Sequence, residues 1–132
     1  MLGRYNIEDD AARAFAVLKD GGTAILPMDV GYSLIGGSEV ALDLIFRTKG
    51  RASDKLNAMV GNQAIHEAIQ KVDQRAHDVI QALIADAGLP LGVIAPCDLS
   101  HPMLNVIDME GSNKDGTIAL LMNAGSFHDA IS

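Results

Sequence analysis
Tryptophan is absent, cysteine occurs once, and two tyrosines and three phenylalanines are the whole aromatic complement. With so few rings, the core must be built from Ala, Ile, Leu and Val, with Met filling the gaps, a composition suited to helices packed on a sheet. A single Cys97 excludes an internal disulfide, and with no base beside it in sequence it reads as a buried, inert thiol. No apolar run reaches the roughly 20 residues that span a bilayer. Residues 1–20 carry Arg4, Glu8, Asp9, Asp10, Arg13, Lys19 and Asp20, which is unlike a secretory leader, so a cytoplasmic protein is expected. Positive charge is also scarce. Ten Lys and Arg face 17 Asp and Glu, and the net charge of −7 argues against a general nucleic-acid surface, because phosphate affinity grows with the number of basic contacts. Low-complexity tracts, internal repeats and Pro/Ser-rich linkers are missing, so residues 1–132 read as one domain, which at 132 residues buries about two thirds of its unfolded surface.

What is present alternates. Asn6 caps a helix predicted over 7–19, with Ile7, Ala11, Ala14, Phe15 and Leu18 on one face. Gly21 and Gly22 stop it, and short apolar runs at Thr23 to Leu26 and Tyr32 to Ile35 read as strands around a turn containing Asp29 and Gly31. Gly36, Gly37 and Ser38 open a helix through Val40, Leu44 and Ile45. Leu56 to Val60 is a predicted strand, and Asn62 and Asp73 cap two further helices. Leu91 to Ala95 and Thr117 to Met122 are predicted strands, Pro102 fits a first helical turn, and Gly111 to Gly116 reads as a polar turn. The glycine pairs at 21–22 and 36–37 lack a Gly-x-Gly-x-x-Gly pattern and serve as helix punctuation. Some connections are too short for a crossover helix, so the expected fold is α/β with a twisted mixed sheet and packed helices.

The scarce positive charge is concentrated. Arg47, Lys49, Arg51 and Lys55 lie within nine positions, and holding them together against their repulsion makes sense where an anion sits between them. A solvated basic turn is the plain alternative. Arg51 offers a planar fork to phosphate oxygens, Lys49 and Lys55 act as point charges, and Gly50 lets the backbone approach the anion. His66, His77, His101 and His128 show no spacing that gathers them into a zinc site.

The run Gly22-Thr-Ala-Ile-Leu-Pro27-Met-Asp29-Val-Gly-Tyr32-Ser-Leu34 resembles the opening strand and turn of the YrdC-like domain family, in which Pro27, Asp29, Tyr32 and Leu34 match. Lys49-Gly50-Arg51 followed by Lys55 is similar to that family's Lys-x-Arg-Pro-x-x-Lys phosphate-binding segment. Weaker likeness continues at Leu89 to Pro96 and at Gly116 to Met122, covering most of the chain. The resemblance implies a YrdC-like single domain that binds nucleotide phosphates through Lys49, Arg51 and Lys55, with Pro27, Asp29 and Tyr32 at a small-substrate pocket. It also implies threonylcarbamoyl-adenylate formation from ATP, threonine and bicarbonate for tRNA modification. That is a nucleotidyltransferase activity with Mg²⁺ accompanying ATP and no covalent catalytic residue. The sequence also departs from the family. Met28, Val30, Gly31 and Ser33 replace its Thr, Thr, Val and Gly, Leu121 stands where its Arg aligns, and no Ser-x-Asn segment appears before Ser132. These departures keep a second expectation open, a non-catalytic module that binds a nucleotide or RNA.

Overall fold
The computed structural model describes residues 6–52, 55–107 and 109–132; Arg4 and the basic-loop residues Ser53 and Asp54 lie outside the described residues. Helix α1 spans Ile7–Lys19, and Asn6 caps it as the sequence predicts, its side chain accepting from the Asp9 N–H. The next two strands, β1 (Thr23–Met28) and β2 (Gly31–Gly36), form an antiparallel hairpin that turns at Asp29 and Val30. The expected strand ended at Pro27, but Pro27 lies inside β1, opposite Tyr32. This two-stranded ladder has room for a residue without an N–H, because an edge position need not donate.

Helix α2 (Glu39–Lys49) follows, capped by Ser38. Of the predicted strand Leu56 to Val60, the ladder takes Ala58–Val60 as β3. Asn62 and Asp73 cap α3 (Gln63–Ile69) and α4 (Gln74–Gln81), and α4 runs on into one π-helical turn over Ala82–Asp86. Strand β4 is Leu91–Pro96, and a 3₁₀ turn at Pro102–Val106 places Pro102 in its first turn. The stretch from Gly111 to Gly116, expected as a simple polar turn, instead holds the end of α5 (Met109–Ser112) and the short strand β5 (Asn113–Lys114). It folds back on β6 (Thr117–Met122), with Asn113 opposite Ile118 and Lys114 opposite Thr117. Residues 126–131 form helix α6 (Ser126–Ile131).

The strands divide into two ladders. The hairpin is one; in the other, β6 lies between β3, which runs parallel to it, and β4, which runs antiparallel. The sheet is therefore mixed, as expected. Side chains alternate across a strand, and β6 uses both faces. Ile118, Leu120 and Met122 are buried with Ile69, Ile80 and Leu104 in one apolar cluster, whereas Leu121 packs beside Val60 against a second cluster of Ala11, Leu26, Ala124 and Phe127. Helices α3 and α4 cover the first cluster. The hairpin, α1 and α6 build the second.

Candidate functional site
Helix α2 delivers the basic loop. Its C-terminus closes on Gly50 at φ 57°, whose N–H donates to Arg47 O, while the Arg51 N–H donates to Phe46 O at 3.0 Å. This closure, in which a glycine takes the left-handed region and the next amide bonds back to the helix, reverses the chain. Arg51 then returns along the helix with its guanidinium 5.8 Å from the centre of the Phe46 ring. Arg51 and Lys55 line one cleft of about 390 Å³, together with Arg47 and Phe46 of α2 and Glu110 and Gly111 of α5.

The structure thus brings two of the three predicted phosphate-binding residues to a common opening. Lys49, exposed on the last turn of α2, is not part of that lining. Carboxylates share the cleft: Glu39, Asp43 and Glu110 line it too, and Arg47 is paired with Asp43 at 2.9 Å. Arg47 and Asp43 stand four residues apart, a helical spacing that puts both on one face. Glu39 and Asp43 precede the basic run on the same helix, whereas Glu110 comes from α5, far along the chain. Among the described residues, Arg51 and Lys55 form no ion pair.

Pro27, Asp29 and Tyr32 come together at the hairpin turn and do not line the basic cleft. Tyr32 is 83% exposed. Asp29 is fixed by the segment after β6: its N–H donates to Ala124 O at 2.8 Å, and its carboxylate lies over Gly125, where a β-carbon would come within 2.3 Å of Oδ1. Gly125 also sits at φ 100°, so both space and backbone call for glycine there. The sequence reading missed this contact because it spans almost the whole chain.

A second cleft, of about 260 Å³, adjoins the first at Glu39. It is bounded by Leu34–Gly36 of β2, the N-terminal end of α2, β3 and Ile107. Asn57 and Ser112 also line it. No sequence signal marked this cleft, since its polar groups come from three separate elements.

Comparison with protein-family models finds no match, and no curated protein matches either. Solved structures do match. A hypothetical protein, smu.1377c from Streptococcus mutans UA159, superposes with a TM-score of 0.76 at 20% identity over 90% of this chain. P. abyssi Sua5, a YrdC-family protein solved in complex with L-threonine, superposes with a TM-score of 0.69 at 19% identity over 98% of this chain. The chain has the YrdC-like fold. This YrdC-like domain spans 49% of the Streptococcus protein and 36% of Sua5. Within it, the basic cleft lies at the end of α2, where the resemblance implied a phosphate-binding segment. Leu121, where the resemblance led us to expect the family's Arg, is a packing position on the second core cluster.

Proposed function
We propose that this YrdC-like domain binds ATP with its phosphates in the basic cleft, and that its reaction is formation of threonylcarbamoyl-adenylate from ATP, L-threonine and bicarbonate, the first step of a tRNA modification. The observation that carries the reading is the presentation of Arg51 and Lys55 on one cleft by the Gly50 turn, in a fold shared with a Sua5 structure holding L-threonine. In the reaction, the carbamate formed from threonine and bicarbonate attacks the α-phosphorus of ATP and pyrophosphate leaves. Arg51 and Lys55 stabilise the negative charge that gathers on the departing phosphates. Lys49, at the rim, adds to the local potential. Pro27, Asp29 and Tyr32 form the proposed amino-acid side of the site, held in place by the Ala124 and Gly125 contacts.

Magnesium accompanying ATP fits the donor chemistry, since Glu39, Asp43 and Glu110 supply carboxylate oxygens on the same cleft. Among the described residues no three such groups cluster closely enough to hold an ion by themselves. The nucleotide's phosphate oxygens and water would therefore be the main ligands, with the ion shielding charge on the phosphates.

Calorimetric titration with ATP and Mg²⁺, with and without threonine, tests the proposal when combined with an assay of pyrophosphate release. Micromolar ATP binding that tightens with threonine, with pyrophosphate released when bicarbonate is present, is the expected result. A specific observation favours a second reading, a non-catalytic module for a nucleotide or RNA: three carboxylates share the cleft and one neutralises Arg47. Binding of ATP or RNA with no threonine effect and no pyrophosphate would select that reading.

A further inference from the structure
Strand β4 closes its sheet on one side, and the register decides which main-chain groups its outer edge offers. The Cys97 N–H donates to Gly116 O at 2.9 Å, and the β4–β6 register continued by one residue sets these two opposite each other. Bonded pairs recur at every second residue of an antiparallel ladder, so Leu91, Val93 and Ala95 turn their groups to β6, whereas Gly92, Ile94 and Pro96 turn theirs away. Pro96 O is taken by the Lys71 N–H at 2.7 Å, and the Gln70–Cys97 bridge covers the edge beyond it. Among the described residues, no strand lies beside Gly92 and Ile94 on that side. Pro90 and Pro96 bracket this opening and bring no N–H to it. An open groove of about 550 Å³ runs along the edge between β4 and α4, with Val79, Leu83 and Val93 on its walls and no residue in common with the basic cleft. Val79 is 53% exposed, and Ile94, on the opposite face of the strand, is 76% exposed.

An open apolar edge is a template for another strand. We infer that β4 pairs with β4 of a second copy of this chain, antiparallel about a two-fold axis at Val93. That register sets Gly92 against Ile94 of the second copy, so the two residues exchange both main-chain bonds and the two-fold repeats the exchange. Each Ile94 side chain then covers a glycine with empty space above it, since a β-carbon on Gly92 would meet nothing within 4 Å. Residues opposite each other in a ladder point to one face, so Val93 of the second copy seats over Val79 and Leu83 in the groove. Charge selects the same partner. The Gln70–Cys97 bridge puts the start of α4 at the end of β4, and residues 87–90 turn directly from the π-helical turn into β4, so helix and strand run in opposite directions. A two-fold that reverses β4 therefore brings Arg75, near the start of α4, to Asp86 of the second copy. Both side chains are exposed, and neither enters an ion pair among the described residues. The other carboxylates of this helix are engaged within the chain, Asp73 accepting from the Ala76 N–H and Asp78 from Gln74 Nε2.

Sedimentation velocity of the full chain over a range of concentrations, joined to amide hydrogen exchange, tests the inference. A monomer–dimer equilibrium is expected, in which the Gly92 and Ile94 amides gain protection as concentration rises, while Val93 and Ala95, bonded to β6 within each copy, exchange slowly throughout. Ile94→Glu places like charges on both sides of the axis and should weaken the dimer at least about tenfold. Arg75→Glu should weaken it about tenfold by facing Asp86 with a second carboxylate, and adding Asp86→Arg to that variant should restore it. The charge-swap pair decides the matter even where Ile94→Glu disturbs the fold. A chain that stays monomeric up to about 1 mM would overturn the inference and leave the edge to a strand of another protein. So would a dimer that Ile94→Glu leaves intact, whose contact must lie elsewhere, and so would failure of Asp86→Arg to rescue Arg75→Glu.

Discussion
Arg51 and Gln70 show how differently two side chains make contacts that their neighbours in sequence do not announce. Arg51 is exposed, rests over Phe46 and is free of ion pairs among the described residues. On the proposed nucleotide reading, Arg51→Ala should weaken MgATP affinity by about 1.5–3 kcal/mol, the value of a charge-assisted contact. Arg75→Ala removes the same charge from α4 and should cost a few tenths, the scale of screened long-range interaction. Calorimetric Kd values for the two variants decide it, and equal losses would mean that the loop contributes net charge alone. Gln70 is buried. Its Nε2 donates to Val93 O at 3.1 Å and Ile118 O at 2.8 Å, and its Oε1 faces His66 Nδ1 at 2.7 Å. Two carbonyl partners fix which end of the amide is nitrogen, so Oε1 accepts and His66 carries its proton on Nδ1. His66 in turn stacks on His77 with 6.3 Å between ring centres. Gln70→Leu strands all three partners and should lower unfolding free energy by about 3 kcal/mol, measured by urea denaturation. A loss below about 1 kcal/mol would show that water replaces the amide.

At the scale of elements, the hairpin is attached at both of its ends. At the open end the Gly37 N–H donates to Gly22 O at 2.9 Å, and Ser38 Oγ donates to Gly21 O at 2.8 Å. Gly37 has so little room that an added β-carbon would lie 1.7 Å from Leu18 O. The glycine pairs that read as punctuation are therefore also the surface on which α1 meets the start of α2. Gly37→Ala forces backbone apart, and overpacking of this kind should cost about 3 kcal/mol, above the usual effect of a loop substitution. A chemical-denaturation midpoint close to that of the parent chain would refute it. At the turn end, Asp29 bonds to the segment leading into α6. Helix α6 buries Phe127 and His128, and His128 Nε2 donates to Leu121 O at 2.8 Å. The C-terminal residues thus brace the hairpin that carries Pro27, Asp29 and Tyr32.

Across the whole molecule, charge is unevenly shared: a chain of net charge −7 keeps a cationic loop beside one cleft. Among the described residues, Asp98 is a local source of acid sensitivity. The Ser100 hydroxyl and amide donate to the Asp98 carboxylate at 2.6 and 3.1 Å, and with Lys71 at 3.5 Å they hold its pKa below the ordinary carboxylate value. A carboxyl lowered in the folded state stabilises the fold above its unfolded pKa of about 3.9 and loses that contribution as pH falls through the lower folded value. The difference in melting temperature between the parent chain and Asp98→Asn should accordingly be constant near neutral pH and shrink below about pH 4. A difference independent of pH would remove Asp98 from the account. The sequence by itself determined the local order of this protein. The caps at Asn6, Ser38, Asn62 and Asp73 and the apolar period of each segment act within a few residues, so most helices, the strands β4 and β6 and the mixed α/β class were legible. The cationic loop was legible for the same reason, since its members are neighbours in the chain. Tertiary structure alone decided the division of the strands into two ladders, the burial of α6 and the placing of Glu110 beside the basic loop. It also placed Asp29 on Gly125 and joined Asn57, Ser112 and the end of α2 around one cleft. Each of these depends on groups far apart in sequence, whose meeting is set by which apolar faces pack together, and no local propensity encodes that.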